Sequence, residues 1–171
     1  MRENLGSCRD LRGYRWRTWK YSEARGANTD EALLGVMADV NWNDGLEVIH
    51  YTRDDLLEAH RLRADRPTGK RTLIAITLRK MGFTGVTHSE KIVRYAEALG
   101  LDFCSCETIL RVAGPYRPRG WERLYFPTAE YIFELGNYDS NRRLWSHPLT
   151  GGALFSKRNE RYVFDLTPDA E

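Results

Sequence analysis

Four histidines, His50, His60, His88 and His147, are the side chains best suited to move a proton or hold a metal near neutral pH, and they are scattered along the chain. None has a partner at the spacing of a metal motif, so no zinc site is expected. The three cysteines are odd in number. Cys104 and Cys106 stand one residue apart, which suits neither a disulfide framework nor a zinc knuckle, and all three are read as reduced thiols. No glycine-rich phosphate loop is present, and no cofactor is expected. Cations interleaved with rings are a stronger signal. Residues 1–25 carry seven Lys or Arg against three acidic groups, and Arg15, Arg17 and Lys20 alternate with Tyr14, Trp16, Trp19 and Tyr21. Guanidinium groups neutralise phosphates and flat rings stack on bases, so this mixture suits a nucleic-acid strand. Its period of two also describes an amphipathic strand with an aromatic face turned inward.

A second basic stretch lies at residues 53–80, with eight Lys or Arg, among them Lys70, Arg71, Arg79 and Lys80, against four acidic groups. Lys70 and Arg71 would open a helix, where backbone N–H groups also attract phosphate. The outer face of that helix offers Thr72, Thr77, Arg79 and Lys80 but no Asn or Gln, so phosphate contacts are expected rather than base reading.

The elements that must position these groups follow from periodicity within 171 residues that carry 26 Lys plus Arg against 24 Asp plus Glu and are 42% hydrophobic. Such a composition fits one ordinary globular domain and excludes collagenous and compositionally disordered chains. No run of about 18 apolar residues occurs and the first residues lack a secretory signal, so the expectation is a cytoplasmic protein without a membrane span. A helix over about 29–40 is capped at Asn28 with Glu31 completing a capping box, and Ala32, Leu33, Val36, Met37 and Val40 share a face. A second follows Thr52. A third is expected from Lys70 to Met81, ending at Gly82, and a fourth after Thr87 with Glu90 as its capping partner. Leu101 to Cys106 alternates as a strand would. Beyond Gly120, strands are expected near 121–126, 130–135, 143–147, 152–156 and 161–166. Helices first and strands second make the chain α+β, a helical N-terminal half packed on a mainly antiparallel sheet from the C-terminal third. Residues 1–171 form a single domain in this reading, with Gly114–Gly120 as the one internal seam.

Two stretches bear family resemblances. Residues 52–84, with Thr52-Arg53-Asp54-Asp55, Arg66-Pro67-Thr68-Gly69-Lys70-Arg71 and Leu78-Arg79-Lys80-Met81-Gly82-Phe83, resemble the winged-helix and helix-turn-helix modules of plasmid and phage replication proteins. That resemblance implies DNA binding and an origin in a mobile element. More of the chain is similar in order to papain-like cysteine peptidases. Asn28-Thr29 opens a helix where the nucleophile would stand, His147 lies at a strand end, and Asp165 sits in Tyr162-Val163-Phe164-Asp165-Leu166. With threonine in place of cysteine, Thr29, His147 and Asp165 would form a degraded, inactive centre, since a neutral hydroxyl is a far poorer nucleophile than a thiolate.

The leading expectation is a small nucleic-acid-associated protein that contacts the phosphates of DNA or RNA through Arg15, Arg17, Lys20, Lys70, Arg71, Arg79 and Lys80. The alternatives are the degraded peptidase scaffold and a module that binds a protein partner.

Overall fold

The computed structural model describes residues 15–19, 29–62, 71–139, 141–152 and 154–165. In chain order these residues form β1 (Arg15–Trp19), α1 (Asp30–Asp44), β2 (Glu47–Val48), α2 (His50–Leu62), β3 (Arg71–Thr77), β4 (Thr87–His88), α3 (Ser89–Ala98), α4 (Cys106–Ala113), β5 (Arg123–Pro127), β6 (Tyr131–Tyr138), β7 (Asn141–Pro148), β8 (Phe155–Ser156) and β9 (Arg161–Asp165). The fold is α+β. Seven strands make one sheet in the order β1-β3-β9-β5-β6-β7-β2, and β4 pairs with β8 in a separate ribbon. Within the large sheet, β5 with β9 and β2 with β7 are parallel, and the other pairs are antiparallel.

Two tight hairpins build its C-terminal part. Thr128 closes the first, its N–H donating to the Tyr131 carbonyl at 2.7 Å and its Oγ1 accepting from the Tyr131 N–H at 3.0 Å. In the second, Tyr138 pairs with Asn141, so two residues turn the chain and Asp139 takes a φ of 54°. Such hairpins demand the left-handed region, which Asp tolerates better than bulky residues do.

Both faces of the sheet are covered, but unequally. Residues directly opposite on paired strands share a face, so Leu124, Phe126, Phe133, Leu135, Leu144 and Val163 look one way. They pack on Leu33, Val36, Met37 and Val40 of α1, Leu56 of α2 and Ile109 and Leu110 of α4. On the other face, Ile74, Ile76, Tyr125, Tyr162, Phe164 and Ile132 pack with Ile92, Val93 and Ala96 of α3. Burying each of these large side chains contributes about 1.5–3 kcal/mol relative to exposure. Along β6 and β7 the second face changes character. Its side chains turn polar or amphipathic there and stay partly open to solvent.

Several expected elements differ. The third helix is β3. Leu73, Ile74 and Ile76 are buried between β1 and β9, and a strand covered on both faces reads as a continuous apolar run that periodicity does not separate from a helix. The segment that the winged-helix resemblance assigns to its basic second helix is thus a strand followed by the turn Leu78–Gly82. The first helix runs four residues past its expected end, because Asn41 to Asp44 stay helical until Gly45 caps the helix at a φ of 68°. The second begins at His50 rather than after Thr52. Thr87 belongs to β4, and His88 caps α3 through Nδ1, which accepts from the Glu90 N–H at 3.2 Å. Leu101–Cys106 is not a strand. Asp102 makes one isolated bridge to Asp165, and Cys106 is the first residue of α4, capped by Ser105. Both Cys104 and Cys106 are buried.

The Gly114–Gly120 segment, expected as a seam, is fastened to its surroundings. Nη1 of Arg142 donates to the carbonyls of Ala113 at 3.0 Å, Tyr116 at 2.8 Å and Gly114, its Nη2 donates to Asp44, and Arg117 donates to Gly114 and Asp44.

Candidate functional site

The open half of the second sheet face gathers the chemistry. On β6 and β7, Ile132 lies opposite His147, Glu134 opposite Trp145, Gly136 opposite Arg143 and Tyr138 opposite Asn141. β5 adds Arg123 opposite Gly136 and Tyr125 opposite Glu134. Alternation along each strand therefore places Arg123, Tyr125, Glu134, Tyr138, Arg143, Trp145 and His147 on one side.

Glu134 is the hub, with its side chain 15% exposed. Its Oε2 lies 2.6 Å from Nε2 of His147, its diagonal neighbour, and its Oε1 lies 3.2 Å from Nε of Arg123. A carboxylate only accepts, so Nε2 carries the proton, and in the neutral ring Nδ1 is the acceptor. The Arg123 guanidinium crosses the sheet over Gly136. A Cβ at that position would stand 2.5 Å from Nη1 of Arg123, so a larger residue there would push this guanidinium from its place. The same guanidinium lies 5.9 Å from the Trp145 ring centre. Arg143 is held by Glu47 at 2.9 Å and sits 5.1 Å over the Tyr138 ring, which meets Trp145 edge-on at 6.0 Å. Burial, reinforced by the Glu134 charge, raises the pKa of Tyr125 and keeps its phenol neutral. At the rim, Asn137 donates to the Pro118 carbonyl at 2.8 Å, which fixes the loop leading to Trp121, 90% exposed and two residues before β5.

Chemically this is a strip of cations and rings with one imidazole oriented by a carboxylate. Arginine and aromatic faces accept flat, anionic ligands, and an oriented imidazole can take or give a proton. Among the described residues, no group of three or more His, Cys, Asp and Glu could hold a metal ion. No described helix is long and apolar enough to cross a membrane.

Of the residues anticipated from sequence that are described, only His147 lies on this strip. Arg15 and Arg17 belong to β1 and Arg71 to β3, neighbouring strands at the opposite side of the sheet from β7. Their side chains, like Lys20 and Lys70 altogether, lie outside the described residues. Arg79 and Lys80 are exposed in the turn after β3. Thr29, His147 and Asp165 do not converge. Thr29 is the N-cap of α1, its Oγ1 accepting from the Ala32 N–H at 3.1 Å, while Asn28, expected as that cap, lies outside the described residues. Asp165 is buried at the end of β9, its N–H donating to the Asp102 carbonyl at 2.9 Å. β5 and β6 separate β9 from β7, three strand spacings or roughly 14 Å. The carboxylate that orients His147 is Glu134. Thr29→Ala is expected to cost about 1 kcal/mol in chemical denaturation, as loss of a cap does, and to change no activity.

Glu134, Arg123, Arg143, Trp145 and Tyr138 were missed from sequence. Their signal was the alternation of Arg143, Trp145 and His147 at every second residue of a predicted strand, which marks one face of a sheet.

Comparison with family models, with curated proteins and with solved structures finds no match for this chain.

Proposed function

We propose that the chain binds single-stranded nucleic acid across the β5–β7 face, through ring stacking and contacts to phosphate. One observation carries this reading: Arg123, Arg143 and His147 are interleaved with Trp145 and Tyr138 on one partly open strip of sheet. Exposed rings on a flat face favour unpaired bases, whose π-faces a duplex hides. Glu47 and Glu134 each engage Nε of an arginine, and a guanidinium has five N–H donors, so both arginines can also serve phosphate oxygens. DNA binding and a mobile-element origin, implied by the resemblance of residues 52–84, are compatible with this reading. The peptidase-like alternative loses its geometric support, because Asp165 is far from His147.

Fluorescence anisotropy with labelled single- and double-stranded oligonucleotides tests the proposal. Tighter binding of the single strand is expected. Neutralising about three phosphates predicts a roughly tenfold to twentyfold loss of affinity between 50 and 200 mM salt. Trp145→Ala should remove about 1–3 kcal/mol of binding free energy through lost stacking. Absent binding at low salt, or unchanged affinity in Trp145→Ala and Arg143→Ala, overturns it.

A further inference from the structure

We infer that His147 is the general base of a metal-independent cleavage of single-stranded RNA on this face, with Glu134 as its positioning residue and Arg123 as the phosphate ligand. The inference rests on the binding reading above and adds a reaction to it. An RNA strand carries its own nucleophile, the 2′-hydroxyl beside each phosphorus, so a protein need supply only a base, an electrostatic partner for the phosphate and a way to hold the strand. The base and the phosphate partner meet at Glu134, and Trp145 lies opposite it on β7. The two carboxylate oxygens of Glu134 hold the imidazole of His147 and the guanidinium of Arg123 side by side, at 2.6 and 3.2 Å. The His147 side chain is 31% exposed, so a ligand on the open face can approach its ring. With Nε2 committed to Glu134, Nδ1 is the atom that accepts a proton.

In the step, Nδ1 takes the 2′-hydroxyl proton as the 2′-oxygen forms a bond to phosphorus. The P–O5′ bond breaks and its electron pair leaves on the 5′-oxygen, which takes a proton from water. The imidazolium then returns its proton to solvent. The products are a 2′,3′-cyclic phosphate and a 5′-hydroxyl, with no change of oxidation state. Arg123 pairs with the non-bridging oxygens, whose charge grows in the transition state. Trp145 and Tyr138 stack the flanking bases and keep the strand extended.

The full-length protein is incubated with a labelled single-stranded RNA, its all-DNA counterpart and its 2′-O-methyl counterpart, all in EDTA. The expected result is binding of all three, cleavage of the RNA alone, and a cyclic-phosphate terminus by mass spectrometry. His147→Gln is expected to slow cleavage by about 10²-fold or more, far beyond its effect on affinity for the 2′-O-methyl strand. Glu134→Gln should lower kcat less than His147→Gln does, and Glu134→Ala should lower it further with a smaller change in KM, because the amide oxygen still accepts from Nε2 and alanine cannot. Bound but intact RNA, or cleavage undiminished in His147→Gln, overturns the inference and leaves the binding reading standing. Failure to bind any of the three strands overturns both.

Discussion

Arg142→Ala lowers the unfolding free energy by about 3–4 kcal/mol, the largest single-residue loss expected outside the hydrophobic core. The last carbonyls of a helix have no partner within it, and two helices end at this one guanidinium. Ala113 and Gly114 close α4, Asp44 closes α1, and Arg142 donates to all three and to Tyr116. A cation there also faces the negative ends of both helix dipoles. Burial, with the nearby Arg117 charge, lowers its pKa, yet a guanidinium remains protonated at any pH that preserves the fold. A hydrogen bond from a charged donor contributes about 1.5–3 kcal/mol, and four on one group do not add in full. At about 2–4 °C per kcal/mol for a domain of this size, the melting temperature should fall by roughly 6–16 °C. Arg142→Lys should recover less than half of the loss, since a point charge cannot span carbonyls from two helices as a planar fork does. Equilibrium unfolding in urea checks both variants. A loss under about 1 kcal/mol would show that water replaces the arginine.

Glu134→Ala is expected to cost about 2–3 kcal/mol. The carboxylate serves Arg123 and His147 together, and the Arg123 side chain, 17% exposed, would be left on the sheet without its counter-ion. Removing one partner of a largely buried pair exposes the desolvation penalty of the other, which exceeds the net worth of the pair. A double-mutant cycle with Arg123→Ala isolates this: the double variant should be more stable than the two single losses predict, with a coupling of about 1–3 kcal/mol. Strict additivity would mean that the two groups do not interact in solution. Glu134→Gln keeps an acceptor and should cost about half as much.

The contrast between these sites shows what a sequence discloses. The five C-terminal strands were legible because β-branched and aromatic runs alternated with breaks expected at Pro127, Gly136-Asn137, Pro148 with Gly151-Gly152, and Lys157-Arg158-Asn159. Four of them form within a few residues of expectation and β8 is shorter at Phe155–Ser156, but Gly136-Asn137 lies inside β6 rather than between strands. α1 and α3 were legible in their apolar stripes, but their caps were displaced by one residue, to Thr29 and His88, because Asn, Thr and His compete for such positions. β3 was not legible as a strand. Its burial on both faces erases alternation, and only the β-branched Thr72, Ile74, Ile76 and Thr77 hinted at extension. The partner of His147 was beyond local reading as well. Glu134 reaches it across a hairpin, whereas Asp165 matched an order of residues along the chain that the strand order of the sheet does not turn into proximity.

β9, the last strand in chain order among the described residues, lies between β3 and β5. Leu73 pairs with Asp165 across most of the chain, and Tyr125 pairs with Tyr162 on the other side. On a ribosome, β3 and β5 therefore emerge well before the strand that joins them, and each waits with an unpaired edge. Contacts so distant in sequence place this topology among the slower folders, since loop closure precedes the reward of pairing. Until β9 arrives the nascent sheet is two fragments with open edges, the state in which strand-rich chains are most prone to associate with one another.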